Sequence, residues 1–96
     1  MEKLNNYESV IIIKNTSNEE YKTILNKIMK RINKIVNVQE IEELGIKRLA
    51  YEINKNKQGF YVILYFESRN QEILELERFY RITDDIIKFI TVRKDD

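Results

Sequence analysis

Apolar residues along this chain switch between two spacings, and the order of the switches predicts a mixed sheet-and-helix protein. Tyr7 to Lys14 carries Val10, Ile11, Ile12 and Ile13 without a break. Such a run fits a central strand buried on both faces. Asn15-Thr16 ends it. Ser17, with Glu20 three residues on, has the form of a capping box and predicts a helix start. Tyr21, Ile24, Leu25, Ile28, Ile32 and Ile35 then repeat at helical spacing. Lys22, Lys27, Lys30, Arg31 and Lys34 lie mostly off that stripe, where they form either a solvated helix face or a contact for nucleic acid.

The second strand, Val38 to Ile53, changes parity. Leu44 and Ile46 share one parity, whereas Leu49, Tyr51 and Ile53 share the other. A strand cannot do this without an extra residue, so a bulge or sharp bend is expected near Gly45 to Arg48. A polar loop at Asn54–Gln58 leads to a third strand, Phe60 to Phe66. Gly45 and Gly59 are the only glycines. Inside a strand pattern a glycine marks a bulge or a close backbone approach; closing a loop, it supplies a positive φ. A second helix begins around Ser68 to Gln71, with Ile73, Leu76 and Tyr80 as its buried stripe and Leu74 and Phe79 at its flanks. It stops near Ile82-Thr83, and Ile86 to Arg93 forms a fourth strand before the Asp95-Asp96 tail.

The order β-α-β-β-α-β predicts an α+β, ferredoxin-like two-layer sandwich: an antiparallel four-stranded sheet with two helices on one face. Right-handed crossovers put strands one and three at the centre. Residues 1–96 read as one such domain, without repeats or linkers. Phe60, Val62, Leu64 and Phe66 should face the helices. Tyr61, Ile63 and Tyr65 should face away beside Val10 and Ile12, either as a partly exposed sheet face or as an interaction surface. Lys47 and Arg48 fall on an edge strand, as edge protection or as a docking strip.

Composition narrows the function. The chain has no Cys and no His, which removes thiolate and imidazole chemistry and the ligands zinc prefers. No apolar run approaches the ~20 residues of a membrane span, and Met1 to Asn6 lacks a signal-peptide core, so a cytoplasmic location is expected. Sixteen Ile and ten Asn indicate compositional bias. Net charge is only +1, low for a protein holding nucleic acid alone. It is unevenly placed: cations dominate Lys14–Lys34 and Lys47–Lys57, and acids dominate Glu67–Asp85.

No catalytic set emerges. Glu40, Glu42 and Glu43 crowd the second strand and read as a solvated edge, with a loose cation contact as the lesser alternative. Two glycines fourteen positions apart cannot form a phosphate loop. Gln58 to Tyr65 matches part of the RNA-recognition motif at Gly59, Phe60, Val62 and Tyr65, but parity turns Phe60 and Val62 toward the core instead of toward bases. An enzyme, a cofactor, a metal and a small-molecule substrate are all unexpected.

One stretch carries a family resemblance. Gly45, the basic pair Lys47-Arg48, Leu49-Ala50-Tyr51, a polar loop, then Gly59-Phe60-Tyr61 resembles the signature of the bacterial small-subunit ribosomal protein number six family. Tyr7-Glu8, Glu42-Glu43-Leu44-Gly45, Arg81-Ile82 and Val92-Arg93-Lys94 agree with it over roughly Tyr7 to Lys94. The resemblance implies a ferredoxin-like constituent of the small ribosomal subunit. It would bind the central domain of the rRNA together with small-subunit ribosomal protein number eighteen, and would act in subunit assembly and translation. By the same resemblance Lys88 and Arg93, with Lys47 and Arg48, would contact rRNA, and Leu49, Ala50 and Tyr51 would meet the partner protein. Asn5-Asn6 and Ile87 stand where basic residues occur in some members, which implies a smaller rRNA footprint. The competing expectation is a ferredoxin-like interaction or regulatory domain that self-associates through its open sheet face without RNA.

Overall fold

A computed structural model of the protein describes residues 3–14, 16–53 and 55–94. Asn15, Asn54 and Asp95-Asp96, assigned above to a strand end, a loop and a tail, lie outside the described residues. The elements follow the expected order: β1 (Asn5–Lys14), α1 (Asn18–Ile35), β2 (Asn37–Ile53), β3 (Asn56–Ser68), α2 (Asn70–Ile82) and β4 (Ile86–Lys94). The sheet runs β2-β3-β1-β4 and every neighbouring pair is antiparallel. The all-apolar centre of β1 explains its central place. Ile11 and Ile13 are fully buried on the helix side, and Ile12 is buried on the opposite side.

Strand parity sorts the rest. Phe60, Val62, Leu64 and Phe66 are buried toward the helices, as expected, while Tyr61, Ile63 and Tyr65 lie half-buried on the open face. Phe60 stacks on Tyr21 of α1 with ring centroids 3.9 Å apart, and Phe66 stacks on Tyr7 at 5.7 Å. Phe60 is thus committed to the core and cannot receive a base.

Both helices start where the side chains can cap them. Ser17 Oγ accepts from the Glu20 amide at 3.2 Å, which satisfies one orphan donor of the first turn. The Glu20 carboxylate accepts from the Thr16 hydroxyl. In α2 the Arg69 amide donates to Glu72 Oε1 at 2.9 Å. The apolar stripe of α1 is buried at Tyr21, Leu25, Ile28 and Ile32, with Ile24 and Ile35 packed at its margin. Met29 and Val36 join it, completing a stripe broader than the six expected residues. In α2, Phe79 is buried with Leu76 and Tyr80, Ile73 is half-buried, and Leu74 is exposed.

The irregularity expected near Gly45 to Arg48 is present: pairing slips between Glu43 and Gly45, where Gly45 takes φ +85°, and again after Arg48. Two local expectations need correction. The polar loop is shorter than expected, since Ile53 already pairs with Asn56 and β3 begins at Asn56. The positive φ of that turn belongs to Lys55, at 67°. Gly59 serves close packing instead: a Cβ there would meet Ile12 Cγ2 at 2.4 Å and the Ile13 carbonyl oxygen at 3.3 Å.

Candidate nucleic-acid interface

Past Gly59, the partner of Lys14 at the end of β1, β2 and β3 continue as a two-stranded arm. Such ribbons twist more strongly than full sheets, and here the ladder is also broken. Arg48 pairs with Gln58 and Ile53 with Asn56, so Leu49 to Glu52 face only Lys57. The slack strand leaves the plane. Leu49 is buried, and the Tyr51 ring comes within 5.9 Å of Lys88 Nζ on β4. β2 and β4 are opposite edges of the sheet, about 14 Å apart if the sheet were flat. Twist and slack together bring them into contact, with the cation over the ring face.

The arm also concentrates charge. Arg48, Lys55, Asn56, Lys57 and Gln58 line a hollow of about 470 Å³, with no acidic residue in its wall among the described residues. Lys47 and Arg48 are both exposed. Register separates them, however. Lys47 opposes Gly59 on the open face, whereas Arg48 opposes Gln58 on the helix side. Among the described residues Lys47, Arg48 and Lys88 have no acidic partner within 4.0 Å.

Arg93 lies elsewhere. It pairs with Tyr7, whose side chain is on the helix side, while Lys88 pairs with Ile12 on the open side. A bulge between Ile12 and Ile13 leaves Ile87 as the extra residue. Five strand steps put Lys88 and Arg93 roughly 17 Å apart along β4, and they face opposite sides. Arg93 shares a second hollow, of about 300 Å³, with Lys3, Asn5, Asn70 and Gln71 at the start of α2. The Tyr7 hydroxyl donates to Asn70 Oδ1 at 2.5 Å beside it. The two β4 cations therefore belong to separate surfaces, as their odd separation along one strand requires; the bulge at Ile87 sets which side each takes.

Apolar surface accompanies the cations. Ile41, Leu44 and Ile46 are exposed along the β2 edge, which α1 touches through the Tyr21–Glu43 hydrogen bond but does not cover, and Tyr51 is 69 % exposed. On the open face Ile90 and Val92 are exposed beside half-buried Val10 and Ile63. The patch thus lies nearer β4 than the Val10–Ile12 expectation, since Ile12 is buried. Alternation predicted the Tyr61 and Tyr65 side but gave no measure of how far the helices extend. The hairpin cations Lys55 and Lys57, together with Lys3, Asn70 and Gln71, were not singled out from sequence; the Lys- and Asn-rich composition of the turn was the one signal for the first pair.

Carboxylates border the open face. Tyr65 donates to Glu42 Oε1 at 3.1 Å, a bond that is the main cause of its raised pKa. On the helix side Tyr21 donates to Glu43 Oε1 at 3.1 Å. Burial first, then the Glu43 charge and hydrogen bond, push the Tyr21 pKa well above the usual tyrosine value. Glu40 and Glu42 oppose Tyr65 and Ile63. Among the described residues no group of three or more acidic, His or Cys side chains could hold a metal ion. No helix of the described residues is long and apolar enough to cross a membrane.

Fold and surface together define a ferredoxin-like protein whose distinctive feature is a bent cationic ribbon at the edge of its sheet. The family model for ribosomal protein S6 matches residues 6–93, and the chain belongs to that family. It is 36 % identical over 92 residues to small ribosomal subunit protein bS6 of Nitratiruptor sp., covering 94 % of this chain and 72 % of that protein. It is 44 % identical over 91 residues to the bS6 protein of Helicobacter hepaticus, covering 91 % of this chain and 65 % of that one. The crystal structure of 30S ribosomal protein S6 from Thermotoga maritima superposes with a TM-score of 0.84 at 36 % identity, covering 96 % of this chain and 89 % of the other. An uncharacterized protein from the same organism shares the fold, with a TM-score of 0.62 at 12 % identity.

Proposed function

We propose that this protein is a structural constituent of the bacterial small ribosomal subunit in the cytoplasm, working as a single ferredoxin-like unit over residues 1–96. It binds the central domain of the small-subunit rRNA together with small-subunit ribosomal protein number eighteen, and contributes to subunit assembly and hence to translation. Its action is binding, with no catalytic step, cofactor or small-molecule substrate. The observation that carries this reading is the meeting of Tyr51, from the family signature, with Lys88 at the opposite sheet edge. That contact brings the candidate partner-facing segment and a candidate rRNA cation onto one end of the molecule.

The physics of the mechanism is modest and additive. Lys47, Arg48, Lys88 and Arg93 supply phosphate contacts, each releasing counterions from the RNA. Leu49 anchors the ribbon, while Ala50 and Tyr51 offer surface to a protein partner with Ile41, Leu44 and Ile46 alongside. A nearly neutral chain gains from such a partner, because its 16 acidic groups offset the attraction of its 17 cations for RNA. Held in one geometry, these contacts stabilise one arrangement of an rRNA junction.

Co-sedimentation with small subunits is the first test, and a protein found only free would contradict the proposal. Replacing Lys88 and Arg93 by Ala should weaken binding to a central-domain rRNA fragment and flatten its salt dependence by about one unit of log–log slope per lost contact. An unchanged slope removes them from the site. Exposed Ile90 and Val92 favour a second reading, self-association through the open face. It requires a stable homodimer without RNA, which light scattering of the purified chain distinguishes from a monomer that joins RNA with its partner.

A further inference from the structure

We infer that a groove between α1 and the end of α2, on the side of the sheet away from Tyr51 and Lys88, is a second RNA-backbone site. After Glu20, α1 contains Lys22, Lys27, Lys30, Arg31 and Lys34 and no acid. Lys27, Lys30, Arg31 and Lys34 fall three or four positions apart, on one side of the helix. With Phe79 and Asp85 they line a groove of about 390 Å³. Among the described residues Asp85 is its one acid, and it already pairs with Lys14 at 3.2 Å. The Arg31 guanidinium sits over the Phe79 ring, 5.6 Å from its centroid, which holds the fork in one orientation.

A solvated face does not account for this arrangement. Like charges three or four residues apart destabilise a helix, and these cations repeat that contact along the stripe. The helix dipole favours cations only in the last turn, which reaches Lys34 but not Lys27 or Lys30. The stripe is therefore a standing electrostatic cost that a polyanion would relieve. From Lys27 to Lys34 the helix rises about 10 Å, a span suited to successive phosphates of one strand. Planar Arg31 adds the bidentate geometry that phosphate favours. A folded acidic protein would present scattered carboxylates, whereas a nucleic-acid strand presents a continuous line of charge matching the stripe. This inference rests on the ribosomal reading, and it adds that the protein bridges two rRNA segments from opposite sides.

The chain lacks cysteine, so Lys30→Cys and Lys88→Cys each create a single attachment point for a hydroxyl-radical-generating iron chelate. In assembled small subunits, the Lys30→Cys probe should cut an rRNA segment different from the one cut by the Lys88→Cys probe. Cutting from Lys88→Cys with none from Lys30→Cys overturns the second site and leaves the ribosomal reading intact. No cutting from either position overturns both. In solution, the combined variant K27Q/K30Q/R31Q/K34Q retains good helix formers, and circular dichroism checks its fold. With Lys88 and Arg93 intact, it should bind a central-domain rRNA fragment at least tenfold more weakly, with a salt slope shallower by about 3 to 4. A slope equal to that of the unmodified protein overturns the inference.

Discussion

Tyr80 shows how a single buried atom can set a measurable property. Its ring is 1 % exposed, and burial pushes its phenol up to about 12 from the ordinary 10.0. Nearby Ser9 opposes only part of that shift; its hydroxyl bonds Thr91 at 2.7 Å and makes no hydrogen bond with Tyr80. The Tyr80 oxygen is left without a hydrogen-bond partner. Below pH 10 the folded and unfolded chains both keep this proton. Between pH 10 and about 12 only the unfolded chain releases it, so stability should fall by about 1.4 kcal/mol per pH unit through that window. Tyr80→Phe removes an unsatisfied polar atom and should be neutral or mildly stabilising at neutral pH. Urea titrations at pH 7 and near pH 11 should find that the variant loses less stability between the two than the unmodified chain does.

The two glycines should respond differently to alanine, for separate reasons. At Gly59 the new Cβ would strike Ile12 Cγ2, part of a buried, β-branched side chain with no flexible end to yield. Overpacking of this kind costs about 1–3 kcal/mol. At Gly45 a Cβ meets nothing within 4 Å, and the cost is the strain of φ +85°, about 1–2 kcal/mol. Gly45→Asn should recover part of that loss, because Asn tolerates positive φ. Gly59→Asn should be worse than Gly59→Ala. Midpoints of chemical denaturation for these four variants separate the two causes.

Among the elements, β2 is the one whose behaviour local propensity leaves undetermined. It pairs on one side only, and its ladder breaks between Arg48 and Ile53. The bent arm is then held by buried Leu49 and by the Tyr51–Lys88 contact. An exposed cation–π pair contributes about 0.5–1 kcal/mol, enough to bias the arm without deciding global stability. Tyr51→Ala should therefore leave the denaturation midpoint nearly unchanged while raising amide exchange across residues 46–58. Tyr51→Phe, which keeps the ring, should restore protection. Equal exchange in all three proteins would show that Leu49 alone holds the arm.

Across the molecule, charge is divided among separate surfaces despite a net of +1. Lys88 faces the open side near the arm, and Arg93 faces the helix side at the other end of β4. Sites this far apart with no shared partner behave additively. The losses in rRNA affinity of Lys88→Ala and Arg93→Ala should therefore sum in the double variant to within about 0.5 kcal/mol. A marked departure from additivity would mean that one RNA element, or a shift of the protein, couples the two ends. The 44 Å long axis agrees with a 13-residue β3 of roughly 43 Å, the length over which those surfaces are spread.

The sequence by itself determined the order of elements, the central place of β1, the inward parity of Phe60 to Phe66 and the family signature. Each is carried by neighbouring residues, through alternation, helical repeat or capping, and needs no knowledge of distant contacts. Tertiary structure alone decided that Leu49 is buried while Tyr51 reaches Lys88, that Lys88 takes the open face and Arg93 the helix side, and that Gly59 is needed for packing instead of turning. Those outcomes depend on twist, bulges and the reach of the helices, which accumulate across strands distant in the chain. A one-residue slip at Ile87 reassigns faces, and the unbroken apolar run of β1 opposite it gives no parity signal for that slip, unlike the parity change that marked β2.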